Sequence, residues 1–168
     1  MRFVQHNDPI ILVPQHISKI GCYTSNVILL VSFHGFLDKY YVLGTMLLCL
    51  YVTTYLHWKQ VRYKSLIKTL DIIICISTIT RITAYDSYRW SQHRVIWKNH
   101  LMFSLSVFTV NEILFYYLVR NKNSIIYSLP NTTHRETIYY INVLCHTLCL
   151  HVFLCITASY LAICSQYQ

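Results

Sequence analysis

Five apolar stretches run through this sequence, and they limit the fold more than any other feature. A helix needs about 20 residues to cross the hydrocarbon core of a bilayer. Inside a bilayer every backbone polar group must find a partner within the protein, so only helices and closed barrels can cross it. The stretches are 20–37, 40–57, 69–85, 101–119 and 138–164. The sequence therefore predicts an all-α, multi-pass transmembrane helical bundle with five spans, built as a single domain over residues 1–168.

The composition is that of a chain that lies mostly in lipid. Apolar residues make up 55% of the sequence and charged residues 12%, whereas soluble domains carry roughly 25% charged residues. So little charge cannot cover a water-soluble surface. Glycine and proline number three each, so a β-rich fold with many tight turns would lack its usual turn residues. The expected partner is the lipid bilayer, and association with further copies of the chain stays open.

The spans differ in how strongly the sequence supports them. Only Asp38 and Lys39 separate the first two stretches, which predicts a tight antiparallel helix hairpin. The third stretch carries Asp71 and Arg81 near its ends, and the uncharged part between them is short for a crossing. A buried or interfacial third helix, with four spans in total, is the alternative. The last stretch is long and uncharged, so we expect it to cross at a tilt.

The positive charge of the chain points to a membrane orientation. The formal net charge is +8, but most lysines and arginines lie between the apolar stretches rather than in one basic patch, so no nucleic-acid partner is expected. Cytoplasmic loops carry the excess of Lys and Arg, and this bias predicts a cytosolic N-terminus and a non-cytosolic C-terminus. The glycosylation sequon at Asn131 would then face the cytosol and stay unmodified.

Polar side chains inside apolar spans need partners, because an unpaired polar group in a membrane is costly. Their positions on the helices and their depths predict a contact between Glu112 and His146. One interpretation is a polar core that holds the bundle together by hydrogen bonds between helices. A second is a polar path through a small channel or proton-conducting protein. The residues to explain are His57, Asp71, Arg81, Glu112, Asn142, His146 and His151.

The segment from Thr53 to His57, followed by Asp71 at the start of the next span, resembles the CREST membrane hydrolase superfamily, which includes alkaline ceramidases and the progestin and adiponectin receptors. The resemblance implies a zinc-dependent membrane amidase that acts on a lipid substrate. Thr53 would be the small hydroxyl residue and Asp71 the partner of the metal-bound water. The zinc ligands would be His57, His146 and His151.

Two features of this sequence depart from that family. The family has seven spans, and it places its last two histidines four residues apart on one helix face. His146 and His151 are five residues apart, which is about 140° around an ideal α-helix. A shared metal would therefore need a bulge or an unwound turn between them.

The layout is also similar to small multi-pass membrane proteins of large DNA viruses, a resemblance that implies no activity. Motifs of other enzyme classes, such as G-x-S-x-G, H-E-x-x-H or a phosphate-binding loop, do not occur. The sequence thus favours a small membrane protein with a polar intramembrane core. The zinc-dependent hydrolase and the channel remain alternatives.

Overall fold

The computed structural model describes residues 13–59, 61, 65–120 and 132–164, and this part of the chain is all-α. The elements in chain order are α1 Gln15–Leu37, α2 Tyr41–Lys59, α3 Leu66–Ala84, a 3₁₀-helix Asp86–His93, α4 Arg94–Phe115 with a π-helical turn Tyr116–Arg120, α5 Thr132–His146, the π-helical segment Thr147–Phe153, and α6 Leu154–Cys164. The final helix runs without a break through α5, the π segment and α6, and we call the whole of it the C-terminal helix. All five apolar stretches coincide with helices, so the all-α prediction is confirmed.

Three of these helices are long and apolar enough to cross a membrane, namely Gln15–Leu37, Arg94–Leu118 and Glu136–Cys164. Helices α2 and α3 do not belong to this set, and α3 carries Lys68, Asp71 and Arg81 within its 19 residues. The lengths and compositions of these three helices are thus consistent with a membrane protein. The N-terminal segment, the sequon at Asn131 and most of the loop before it lie outside the described residues.

The first two helices form the predicted hairpin, and small residues make it tight. Ser32 donates a hydrogen bond from Oγ to the backbone oxygen of Gly44 at 2.7 Å. A Cβ atom on Gly35 would lie 3.3 Å from the Cα of Gly44, so the two backbones almost touch. Small residues permit such close approach between membrane helices. The residues that α1 buries are Ile17, Ser18, Gly21, Ser25, Ile28, Ser32 and Gly35.

The apolar core lies where all five long helices meet. A small cavity of about 30 Å³ is lined mainly by apolar side chains and thiols, among them Leu50, Cys75 and Cys155, with Thr78 as the one residue that carries a hydroxyl group. A lining of this kind does not resemble a water-filled polar path. The core residues are Ile28, Tyr40, Leu43, Leu47, Leu50, Ile82, Trp90, Trp97, Leu101, Leu154, Cys155, Ala158, Leu161 and Ala162.

The 3₁₀-helix between α3 and α4 closes one end of the bundle. Trp90 is fully buried and packs edge-on against Trp97, with ring centroids 5.7 Å apart. Arg81 donates from Nε to a carboxylate oxygen of Asp86 at 3.3 Å. Burial raises the pKa of the Asp86 carboxyl group, and the charge of Arg81 acts against that rise. Arg81 therefore pairs with Asp86 at the end of the bundle and not with the polar groups of the interior.

Candidate functional site

The two histidines of the C-terminal helix lie next to each other because the backbone between them is π-helical. In a π-helix the backbone hydrogen bonds join residues five apart, and the segment Thr147–Phe153 follows His146 directly. The ring centroids of His146 and His151 are 5.6 Å apart, with their planes at 84°. The π segment thus absorbs one extra residue, and the pair meets as residues four apart would in an α-helix. The spacing in the sequence required such a bulge, and the structure contains one.

A tryptophan outside the predicted set of site residues lies among the three histidines. The indole centroid of Trp58 is 5.4 Å from the ring centroid of His57, 5.2 Å from that of His146 and 6.2 Å from that of His151. We call these four residues the histidine cluster. Trp58 is almost fully buried, and a Cβ atom on Gly21 of α1 would collide with its indole. The missing side chain at Gly21 therefore leaves room for the indole ring.

A threonine on α1 lies within hydrogen-bond distance of His151. The Thr24 hydroxyl is 3.2 Å from Nδ1 of His151. The same hydroxyl is 3.0 Å from the backbone oxygen of Ile20 and 3.2 Å from that of Gly21. A hydroxyl can both donate and accept, so it pairs with His151 in either tautomer of the ring. Thr24 thus orients His151 from α1.

Two polar atoms of the histidine cluster are buried without a hydrogen bond to any described residue. They are Nδ1 of His57 and Nε1 of Trp58. Buried polar atoms normally have a partner, so these two are exceptions, as are Nε1 of Trp90 and Oγ of Ser104 elsewhere in the interior. The sequence could have indicated Trp58 as a site residue, because it directly follows His57. Tryptophans at the ends of spans are also common at membrane boundaries, however, so this position did not single it out.

The arrangement of the cluster does not match the zinc site that the resemblance implies. Zinc binds nitrogen at about 2.0–2.1 Å, so ligating imidazoles must converge on one point. Within the described part of the chain, no group of three His, Cys, Asp or Glu side chains is placed to hold a metal ion. The indole of Trp58 lies against all three imidazoles, and we attribute the lack of convergence to it. The histidines as they stand do not fit the metal.

Asp71 binds the second helix through two threonine hydroxyl groups. Thr53 donates from Oγ1 to Oδ1 of Asp71 at 3.1 Å, and Thr54 donates to the same oxygen at 2.6 Å. Thr54 is fully buried, and nothing in the sequence pattern favoured it over its neighbour. None of the hydrogen bonds found among the described residues joins Asp71 to a histidine. Asp71 therefore links α2 to α3 and is not part of the histidine cluster.

Glu112 has a different partner from the one predicted. Asn142 donates from Nδ2 to Oε1 of Glu112 at 3.1 Å, and Asn111 donates to the backbone oxygen of Asn142 at 3.4 Å. His146, one turn further along, instead packs edge-on against Phe108 at 5.1 Å between ring centroids. Depth alone suggested the contact between Glu112 and His146, but the rotation of each helix about its axis decides which side chains meet.

One further interior histidine was missed because it precedes the predicted start of the fourth span. Nδ1 of His100 lies 3.1 Å from Oγ1 of Thr157, and its ring packs against Phe153 with centroids 5.0 Å apart. Helix α4 begins at Arg94 rather than at residue 101, so His100 faces the bundle.

Comparisons with known proteins do not assign the chain to a family. No family model, curated protein or solved structure matches it.

Proposed function

We propose that this chain is a five-span integral membrane protein whose interior polar side chains join its helices in pairs and so hold a single bundle together. The observation that carries the proposal is the distribution of these hydrogen bonds over all five helices. Thr53 and Thr54 join α2 to Asp71 on α3, and Glu112 joins α4 to Asn142 on α5. Thr24 joins α1 to the C-terminal helix through His151.

Hydrogen bonds between membrane helices contribute about 0.6 kcal/mol each on average. They also fix which helix faces meet, because apolar faces in lipid have no preferred neighbour. The pair of His100 and Thr157 adds a further link between α4 and α6. A role in assembly therefore accounts for these polar groups without requiring a substrate.

Five crossings are supported by the outer surfaces of α2 and α3. Val52 on α2 is 47% exposed, and Ile73 and Ile76 on α3 are 53% and 60% exposed. Exposed apolar side chains in such number are suited to lipid rather than water. Each of these helices has 19 residues, or about 28 Å at 1.5 Å per residue, close to the hydrocarbon thickness of about 30 Å.

Mapping the sides of the membrane tests this topology. A short glycosylation acceptor inserted after Lys39, and in a second variant after Arg89, should be modified in both cases or in neither, because five spans place both sites on the same side. Modification of one site alone would mean that only one of α2 and α3 crosses. If a third acceptor at Ser65 lay on the same side as these two sites, neither helix would cross. Resistance of the full chain to extraction by alkaline carbonate should accompany either result, and release by carbonate would reject the membrane protein itself.

The Lys and Arg distribution supports a cytosolic N-terminus. In this orientation Lys59 and Lys68 lie at the cytosolic end of their helices, and Lys39, Arg89 and Arg94 lie at the opposite end. Acceptors after Lys39 and Arg89 should then both be glycosylated in a eukaryotic membrane, whereas one placed at Ser65 should not. The reverse pattern would invert the orientation.

The second candidate function is a zinc-dependent membrane hydrolase that acts on a lipid amide, in line with the CREST resemblance. Two observations favour it: the π segment that aligns His146 with His151, and the hydrogen bond from Thr53 to Asp71. The site would form only if the indole of Trp58 left the histidines. Metal analysis of the purified protein decides between the candidates. About one zinc per chain, lost in His57→Ala and in His146→Ala, supports the hydrolase, and a metal-free protein supports the structural core.

A further inference from the structure

Three arginines at one end of the bundle lie over tyrosine rings. The guanidinium carbon of Arg81 is 4.9 Å from the ring centroid of Tyr85. That of Arg89 is 4.4 Å from Tyr40, and that of Arg94 is 3.4 Å from Tyr88. Stacking uses the flat face of a guanidinium, so the N–H donors in its plane stay available to bind an anion. The tyrosine rings therefore position these arginines and leave the guanidinium N–H groups unoccupied by the stacking.

Only one of the three has a carboxylate partner among the residues that the structure describes. Arg81 pairs with Asp86 at 3.3 Å. The other ion pair found in the described ranges joins His34 to Asp38 at 2.7 Å. Asp38 thus lies against a histidine and Asp86 against an arginine, and neither Arg89 nor Arg94 lies within ion-pair distance of a described acidic residue. The charge of Arg89 nevertheless acts on Asp86: burial raises the pKa of that carboxyl group, and Arg81 and Arg89 oppose the rise. The Nε atom of Arg94 is buried and has no hydrogen-bond partner among those residues.

Two lysines add to the charge beside these arginines. Lys39 is exposed and adjoins Tyr40, on which Arg89 stacks. Lys98 is exposed and lies one helical turn after Arg94, so the two share a face of α4. We call Lys39, Arg89, Arg94 and Lys98 the basic face. None of its four cations forms an ion pair within the described chain, and the Asp86 carboxylate, which also interacts with the charge of Arg89, already pairs with Arg81. An anion from outside the protein would therefore neutralise the excess positive charge.

The position of the basic face indicates which anion that is. Tyr85 and Tyr88 beside it are 63% and 61% exposed, and Tyr41 at the start of α2 is 60% exposed. Exposed tyrosines at the ends of membrane helices lie at the level of the lipid headgroups. Arginine binds phosphate through two parallel N–H donors, and phospholipid phosphates are the most concentrated anions at that level.

We propose that the basic face binds the phosphate of an anionic phospholipid, with Arg89 and Arg94 as its direct ligands and Lys39 and Lys98 as supporting charges. Phospholipids of both leaflets carry a phosphate, so the arginine contacts can form in either orientation of the chain, and the net negative charge of an anionic phospholipid strengthens them. It adds a specific lipid partner to a function that otherwise concerns only the interior of the bundle.

Thermal unfolding of the purified full chain in detergent tests the proposal. Phosphatidylglycerol should raise the unfolding temperature more than phosphatidylcholine with the same acyl chains, since only the former brings net negative charge. Arg89→Gln with Arg94→Gln should weaken the apparent affinity for phosphatidylglycerol by at least about tenfold, the loss expected for a charge-assisted contact. The matched control is Lys59→Gln, which removes one exposed charge at the opposite end of the bundle and should leave the affinity unchanged.

Other outcomes would overturn the proposal. Equal effects of the two lipids, or an unchanged affinity in the double arginine variant, would mean that the basic face has no lipid ligand. If inorganic phosphate at the same concentration reproduces the shift, the ligand is free phosphate rather than lipid. Should the double variant fail to fold, Lys39→Gln with Lys98→Gln keeps both stacked arginines and should still weaken binding several-fold. No change in that variant, measured by native mass spectrometry of retained lipid, would reject the basic face.

Discussion

His146 and His151 are neighbours on one side of the C-terminal helix, with ring centroids 5.6 Å apart, although five residues separate them in the chain. The π-helical segment that follows His146 makes this possible. Such single insertions in an α-helix are rare and frequently occur at functional sites. The histidine cluster therefore lies where the backbone of the C-terminal helix departs from a regular α-helix.

Deletion of Leu148 should convert the π segment into a continuous α-helix and leave the bundle intact. The residue is 47% exposed and lies inside the segment, so its loss removes little packing and restores the spacing of four between the histidines. We expect the free energy of unfolding, measured for the purified protein in mixed detergent micelles, to change by less than about 1 kcal/mol.

The control is deletion of Ile156, which is similarly exposed but lies in regular α6. That deletion rotates the rest of the helix by about 100° and should destabilise the bundle strongly. If the two deletions lower the free energy of unfolding equally, the π segment does not accommodate an extra residue.

Glu112 and Asn142 should be energetically coupled, whereas Glu112 and His146 should not. The hydrogen bond of 3.1 Å joins the first pair, and such bonds in membrane proteins contribute about 0.6 kcal/mol, with a maximum near 1.7. Alanine substitutions in a double-mutant cycle, read out by unfolding in mixed micelles, measure the coupling. Additivity in the first pair together with coupling in the second would contradict the structure.

Thr54→Val should destabilise the bundle more than Thr53→Val. Thr54 is fully buried and donates to Asp71 at 2.6 Å, while Thr53 is only partly buried and its hydroxyl also lies within reach of backbone oxygens on α2. Loss of this buried donor should cost up to about 1.7 kcal/mol, the upper end of the range for such bonds in membrane proteins. Thr54→Ser, which keeps the hydroxyl, should recover most of the stability, and its failure to do so would assign the effect to packing.

Gly21→Ala should destabilise the protein by about 1–3 kcal/mol, because the added methyl group would overlap the indole of Trp58. Gly44→Ala is the milder control, since its Cβ would meet the side chain of Phe36 at 3.1 Å, which can turn away. Combining Gly21→Ala with Trp58→Leu should restore part of the loss. A double variant no better than Gly21→Ala alone would show that the indole is not the obstacle.

The sequence by itself determined the helices, because long apolar runs with few turn residues leave the backbone no other way to satisfy its hydrogen bonds in lipid. It also identified several polar residues of the interior, since a charged or polar group within an apolar run stands out without knowledge of its neighbours, but it missed His100 and Thr54. The tight hairpin of α1 and α2 was predictable for the same reason, as only two residues separate the runs. These properties are local.

The tertiary structure decided which of these residues meet. Glu112 contacts Asn142 rather than His146, and Trp58 lies among the three histidines, because the rotation of each helix about its axis depends on packing against the others. The π segment likewise involves a change of backbone hydrogen bonds that apolar periodicity does not reveal. Partner choice in a bundle is a property of several helices at once, so no single stretch of sequence contains it.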